Sequence, residues 1–368
     1  MALRSPIHEL HKELGAGFTE FAGFEMPLQY KGLIAEHMAV RKGVGLFDVS
    51  HMSNVWVRGK DAEPLISKIM IADPKRFPVG KARYNAFCRE DGTIIDDTIF
   101  LHMPEGFYVV PNAGMNEIAV EWFKKVRDEN GFDAEIIDES RETVILAIQG
   151  PKAEATMQKV VEDLDLSTLK FFECSWAKVN GKRYVLSRTG YTGEDGFELH
   201  IKPMADAEKI TRMILKAGEE FDLHCVGLGA RDSLRLEKNL CLAGNEFEGG
   251  RSPVEAGINW TMDWEHDFVG KAAMLKQKEG NAYELLRPLL CTDKGIPRHG
   301  CEVYDGEELV GKVTSGGMSP CMKKGIALAY VKPGHREEGR ALEIEVRGKR
   351  VPCAVIKGQF VKKSECAN

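Results

Sequence analysis

The sequence predicts an α+β protein: two units built on antiparallel sheets, then a C-terminal β-barrel or jelly-roll-like domain. Three observations carry that prediction. Residues 53–137 alternate strand, helix, hairpin, strand and helix, the pattern of an α+β unit with antiparallel pairs. The apolar run 144–151, followed by helical spacing over 152–163, opens a second such unit. From Leu285 onward strands and turns recur with almost no helix, which is how a small barrel reads.

The totals bound the function. A chain of 368 residues is too long for one ordinary core, so two or three domains are expected. No stretch approaches the uninterrupted apolar length of a membrane span. A net charge of -6 argues against general nucleic-acid binding, which needs a basic face. The basic residues near the end (Arg347, Lys349, Arg350, Lys357, Lys362, Lys363) are spread over strand-like sequence and read as a solvated face. Residues 1–6 run straight into a helical pattern, without a signal core or an Arg/Ser-rich transit segment, so a cytoplasmic location is expected. Nine cysteines never fall at C-x-x-C spacing and are expected to be reduced thiols, mostly core fillers. Without H-E-x-x-H among the ten histidines, no metal site is expected.

The first elements are a helix over 6–14 closed by Gly15, a strand over 19–28 and a helix over 33–41. The apolar strand 45–52 carries Asp48, Ser50, His51 and Met52, with His51 read as a satisfied structural histidine. A strand at 54–58 and a helix at 61–70 lead into the hairpin 82–101, around which the chain is organised. Asp91-Gly92 is a strong turn signal between β-branched and aromatic runs. A two-residue turn there pairs Glu90 with Thr93, Ala86 with Asp97 and Tyr84 with Ile99. Successive side chains alternate faces, so Asp96 and Asp97 must point opposite ways, and whichever face is buried takes one carboxylate with it. Tyr84 lies diagonally across from Asp97, and small Ala86 opposite leaves a gap. A carboxylate, a phenol and a gap on one face read as a pocket floor; the alternative is an edge strand with one solvated Asp. The strand 107–112 ends on Asn112, either a site group or a cap for the helix at 114–130.

Short strands follow near 171–178 and 183–188. The stretch Ser187 to Glu198 packs Gly190, Gly193 and Gly196 into seven residues, allowing close backbone approach. It lacks the phosphate-loop pattern, and its two acids would repel phosphate. Glu198, at the start of an apolar strand, suits a grip on the N–H pair of a heterocycle such as a pterin edge. After an amphipathic helix at 205–221, Gly227-Leu228-Gly229 begins a helix carrying Arg231, Asp232, Arg235 and Glu237. Arg235 reads as a structural salt bridge. Arg231 sits in the first turn, where the helix dipole disfavours a cation, and that mismatch points to a functional partner. A helix at 270–278 and the polar residues 280–282 precede strands at 287–291, 301–304, 310–315, 326–331, 341–346 and 351–356, with 314–320 the most loop-like insertion.

Together the motifs F-A-G-F-E-M-P (21–27), G-L-F-D-V-S-H-M (45–52), G-T-I-I-D-D (92–97), the 187–198 stretch, G-L-G-A-R-D-S-L-R-L-E (227–237), S-P-V-E-A-G (252–257), R-H-G (298–300) and V-T-S-G (313–316) resemble the glycine cleavage system T-protein family. These are tetrahydrofolate-dependent aminomethyltransferases, and the resemblance covers nearly the whole chain. It implies three domains in a clover-like ring around a central folate channel. They would be a discontinuous folate-binding domain (1–52 and 138–280), an inserted domain with the catalytic hairpin (53–137) and a C-terminal barrel-like domain (281–368). Carried over residue by residue, Asp97 is the catalytic carboxylate near folate N10. Tyr84, Asn112, Tyr191, Glu198 and Arg231 match folate-binding positions, and Met52 would pack on the folate. The implied partners are tetrahydrofolate and a lipoylated carrier (H) protein, with no metal, nucleic acid or membrane. Lys362 and Lys363 are candidates for docking an acidic carrier. The sequence departs from the family pattern around Pro111–Glu117 and at Gly249-Gly250-Arg251-Ser252. These departures leave open a folate-dependent demethylase acting on a small methylated amine, sulfonium or aryl ether, with Arg251 suited to an anionic substrate. A folate-binding protein without activity is a third reading, against which the retained Asp97, Tyr84, Glu198 and Arg231 stand.

Overall fold

The computed structural model describes residues 2–362 and Cys366. The chain divides into two compact units, one of residues up to Asn85 with Asp96–Arg231, the other of Ala86–Ile95 with the residues from Asp232 on. Among the described residues no helix is long and apolar enough to cross a membrane.

The first unit is built on the strand Val144–Gln149, buried at every position. It pairs antiparallel with Gly196–Ile201 on one side and Gly45–Asp48 on the other, within a six-stranded sheet that also holds Cys174–Val179, Lys182–Ser187 and His224–Cys225. Alternate residues Val144, Leu146 and Ile148 share one face and join Leu46, Leu186 and Leu199 in the core. The helix Ala207–Gly218 contributes Ile210 and Ile214, one turn apart, to the same core. The short helix His8–Glu13 is pinned to the strand Gly45–Asp48 through His11, whose Nε2 lies 2.8 Å from Asp48 Oδ2, while Tyr30 Oη lies 2.9 Å from His11 Nδ1.

The stretch 19–28 is two strands rather than one. Gly17–Phe21 and Phe24–Gln29 pair antiparallel across Ala22-Gly23. Both turn residues have positive φ (48° and 81°), the backbone twist a two-residue hairpin requires. The helix expected over 152–163 is shorter, Ala153–Met157. A five-stranded antiparallel sheet runs in the order Ala82–Cys88, Ile94–Met103, Gly106–Pro111, Val55–Arg58, Glu135–Asp138. It carries the central hairpin next to the strand that ends at Pro111.

The second unit centres on a closed six-stranded barrel, in the order Leu285–Cys291, Lys324–Val331, Glu308–Ser319, Glu302–Asp305, Ala341–Val346, Lys349–Val355. The stretch 314–320 is no loop insertion: residues to Ser319 continue a twelve-residue strand, with a register shift between Val313 and Ser315. Its glycines serve close approach instead, since a Cβ on Gly316 would lie 2.7 Å from the Pro297 carbonyl oxygen. Arg235, 1% exposed, is held by Asp232 (2.8 Å), Glu246 (3.0 Å) and Ser315 (2.8 Å), as a structural salt bridge should be. The C-terminal segment is tied to the same helix, with Phe360 N–H and Val361 N–H donating to Glu237 O and Lys238 Nζ donating to Val361 O.

The cysteines depart from the expectation of reduced thiols. Cys321 and Cys366 form a disulfide across a Cα–Cα distance of 5.7 Å, a pairing that their separation of 45 residues concealed. Cys88, Cys174, Cys291 and Cys353 are buried thiols, as expected of core fillers.

Candidate functional site

The hairpin buries both of its adjacent aspartates, not one: Asp96 is 0% exposed and Asp97 7%. What makes this possible is the strand end beside them. Asn112 donates its backbone N–H to Asp96 Oδ2 (2.8 Å), and its Nδ2 lies 2.9 Å from Asp96 Oδ1, 2.6 Å from Asp97 Oδ1 and 2.8 Å from the Asp97 carbonyl oxygen. Tyr84 donates its hydroxyl to Asp97 Oδ2 at 2.7 Å, the diagonal contact expected from the register. That register holds at the open end, where His102 N–H donates to Lys81 O. At the tip, Gly92 N–H donates to Arg89 O and Arg89 N–H to Thr93 O, so the loop has three residues instead of two.

Two carboxylates this close cannot both ionise freely. Burial pushes Asp96 well above the usual carboxylate range, the charge of Asp97 pushes the same way, and the hydrogen bonds from Asn112 only partly oppose it. The two carboxylates therefore titrate as one coupled pair, with ionisation of Asp96 opposed by burial and by its neighbour.

A second group forms on the neighbouring sheet. Glu198 Oε2 accepts from the Thr189 hydroxyl at 2.5 Å. Burial raises the Glu198 pKa, while that hydrogen bond and the charge of Arg231 oppose the rise. The Arg231 guanidinium stands over the Tyr191 ring at 4.6 Å. The loop between Thr189 and Glu198 is held from below by Gln149, the last residue of the central strand. Gln149 Nε2 donates to Thr189 O (3.0 Å) and Gln149 Oε1 accepts from Thr192 Oγ1 (2.9 Å). This explains the glycines: a Cβ on Gly190 would lie 1.9 Å from Gln149 Oε1, and one on Gly196 2.4 Å from its Nε2. The two acids of the loop are each taken by an arginine, Glu194 by Arg41 and Asp195 by Arg188.

The two groups are joined by the segment after the strand Gly45–Asp48. His51 is buried, and burial, aided by the charge of Arg231, pushes its pKa down to about 3. Its Nδ1 has no hydrogen-bond partner among the described residues, so it is a neutral but not a fully satisfied histidine. Ser53 N–H donates to Pro111 O, beside Asn112. Met52 lies between these anchors, its backbone N–H on Val49 O.

All seven candidate residues, Met52, Tyr84, Asp97, Asn112, Tyr191, Glu198 and Arg231, fall in the first unit. Sequence reasoning missed Asp96 as the partner of Asn112, and Gln149 and Thr189 as supports. A lone glutamine ending a fully buried strand just before Gly150-Pro151 was the available signal for Gln149. Arg251 is not poised for an anionic substrate: it pairs with Glu255 (3.0 Å) and Glu284 (2.8 Å) and covers the Tyr330 ring at 3.9 Å. Of the two docking candidates, Lys363 lies outside the described residues.

Residues 7–266 match the family model of the GCVT N-terminal domain, and residues 286–362 match that of the glycine cleavage T-protein C-terminal barrel domain. This chain belongs to the glycine cleavage T-protein family. The aminomethyltransferase of Clostridium botulinum (strain Okra / Type B1) is 42% identical to this T-protein chain over 98% of its length and 97% of the relative's. That of Symbiobacterium thermophilum is 41% identical over the same shares. The crystal structure of glycine cleavage system aminomethyltransferase T from Bartonella henselae superposes with a TM-score of 0.91 at 32% identity, covering 99% of each chain. The closed barrel between Leu285 and Val355 is thus the T-protein C-terminal barrel, recovered from strand spacing and here seen as strand pairing.

Proposed function

We infer that this protein is the aminomethyltransferase of a glycine cleavage system. It transfers the one-carbon unit of an aminomethyl group, carried on the lipoyl arm of a carrier protein, to tetrahydrofolate. Ammonia is released, with 5,10-methylenetetrahydrofolate and dihydrolipoyl carrier as products. Full-length similarity to proteins named aminomethyltransferase supports the activity. The three-domain division and a cytoplasmic location belong to the same reading.

The observation that carries the chemistry is the buried Asp97 carboxylate held between Tyr84 Oη at 2.7 Å and Asn112 Nδ2 at 2.6 Å. The residues fit a folate. Glu198 is a buried carboxylate that can accept from paired N–H groups of a pterin. Arg231 and Tyr191 form a cation–aromatic wall beside it. Tetrahydrofolate supplies the nucleophilic amine. Asp97 stabilises positive charge that develops on the reacting amines and receives or returns a proton there. Tyr84 and Asn112 hold its two oxygens, so little reorganisation accompanies the change in charge. Glu198 and Arg231 orient the ligand, and that orientation supplies a large part of the rate effect. The pairing of Arg251 with Glu255 and Glu284 removes the feature that favoured a demethylase with an anionic substrate.

The test is ammonia release from aminomethyl-loaded carrier protein, with and without tetrahydrofolate, for wild type and Asp97→Asn. The expected outcome is folate-dependent release that falls by about 10²-fold or more in the variant. Equal release by both proteins would remove Asp97 from the mechanism.

A further inference from the structure

Asp96 has no assigned role, yet both of its oxygens are occupied by one residue of the site. Oδ2 accepts the Asn112 backbone N–H at 2.8 Å, and Oδ1 faces Asn112 Nδ2 at 2.9 Å. The Asn112 side chain is in turn the donor to Asp97 Oδ1 at 2.6 Å. A side-chain amide can present either its NH₂ or its carbonyl oxygen to a given neighbour. Here every neighbour on the inner side is an acceptor: Asp96 Oδ1, Asp97 Oδ1 and the Asp97 carbonyl oxygen. A flipped amide would set its carbonyl oxygen against three others. The NH₂ is therefore locked inward, and Asn112, which is only partly buried, turns its carbonyl oxygen away from the carboxylates.

We propose that Asp96 is a positioning residue, which fixes Asn112 so that its side-chain carbonyl faces the ligand as a hydrogen-bond acceptor. The proposal rests on reading Asp97 and Asn112 as part of the folate site. Its ligand is an N–H donor on the folate. Asp96 touches neither ligand nor reacting atoms and acts only through Asn112. The arrangement also explains why two aspartates stand in succession on this strand. Asp97 meets the reaction, and Asp96, on the opposite face, grips the end of the neighbouring strand from behind. In Asp96→Asn the new NH₂ meets a donor at one of the two contacts, so one is lost and the Asn112 amide can turn.

A kinetic double-mutant cycle of Asp96→Asn and Asn112→Ala, with Asp97→Asn alongside, tests this. For Asp96→Asn the expected result is a rise of about tenfold in KM for tetrahydrofolate, with a smaller change in kcat. The double variant should match Asn112→Ala alone within about twofold, because the two residues act as one. A merely structural role for Asp96 would lower the melting temperature without that non-additivity. Unchanged KM in Asp96→Asn, or losses that simply multiply, would overturn the proposal. If Asp96→Asn does not fold, Asn112→Leu decides: unchanged KM for tetrahydrofolate leaves Asp96 nothing to act through. Collapse of activity in Asp97→Asn with a silent Asp96→Asn sinks this proposal alone, whereas a fully active Asp97→Asn sinks the site reading beneath it.

Discussion

At the scale of single residues, His200 and His51 show how burial fixes a protonation state. His200 Nδ1 lies 3.0 Å from Asn54 Oδ1, which also accepts the Tyr108 hydroxyl at 2.7 Å. A carbonyl oxygen only accepts, so the proton of neutral His200 sits on Nδ1. Burial pushes both histidines down to about 3. The folded state then binds fewer protons than the unfolded one below about pH 6.5, and stability falls as pH drops from there towards 3, by at most about 1.4 kcal/mol per unit for each histidine. Asp96 and Glu198 have raised pKa values and act with the opposite sign: they cost stability as pH rises above the ordinary carboxylate range. Urea midpoints for wild type and His200→Gln separate the two effects, and the variant should lose less stability between pH 7 and pH 5. A constant difference across that range would mean that His200 titrates normally. The sequence made Asp97 legible because strand alternation alone assigns it a face, with Tyr84 on the same one. Asp96 was not legible as a support. Its partner is a strand away, and only the register of Ile94–Met103 against Gly106–Pro111, with Thr98 opposite Pro111, brings Asn112 to it.

At the scale of elements, the helix Leu228–Glu237 faces two tasks. Its first turn presents Arg231 to Tyr191, and its last turn buries Arg235 against Glu246, which is itself 0% exposed. Arg235→Met should lower stability by about 3–5 kcal/mol, because Glu246 is left as an uncompensated buried charge. Arg235→Met/Glu246→Met should recover much of that loss. Urea unfolding of the three proteins checks both statements, and a single variant as stable as wild type would contradict them. The helices and the barrel strands were readable because periodicity survives in them. The elements that were misread share a cause. Ala22-Gly23 turns by way of an alanine with positive φ, and the glycines after Ser315 permit close packing inside a strand. A glycine in a sequence marks freedom of the backbone without saying whether a turn or a neighbour uses it.

At the scale of the whole molecule, the disulfide and the two-unit division matter most. Cys321–Cys366 closes a loop of 45 residues, and by chain entropy that closure contributes up to about 4 kcal/mol. A reductant should lower the urea midpoint of the oxidised protein, and Cys366→Ser should not respond to it. An identical midpoint with and without reductant would show that the bond does not stabilise the fold. The division itself has a consequence for synthesis. The hairpin tip, Ala86–Ile95, belongs to the unit completed by residues from Asp232 on. Ile94 N–H donates to Arg251 O, and a Cβ on Gly92 would lie 3.1 Å from the Met274 side chain. On a ribosome adding roughly 5–20 residues per second, the tip waits on the order of ten to thirty seconds for those partners to be made. Asp96 and Asp97 immediately follow this waiting segment in the chain. Their strand is made well before the partner of its first residue, Ile94, exists, so a nascent chain holds it through that interval without its full set of contacts.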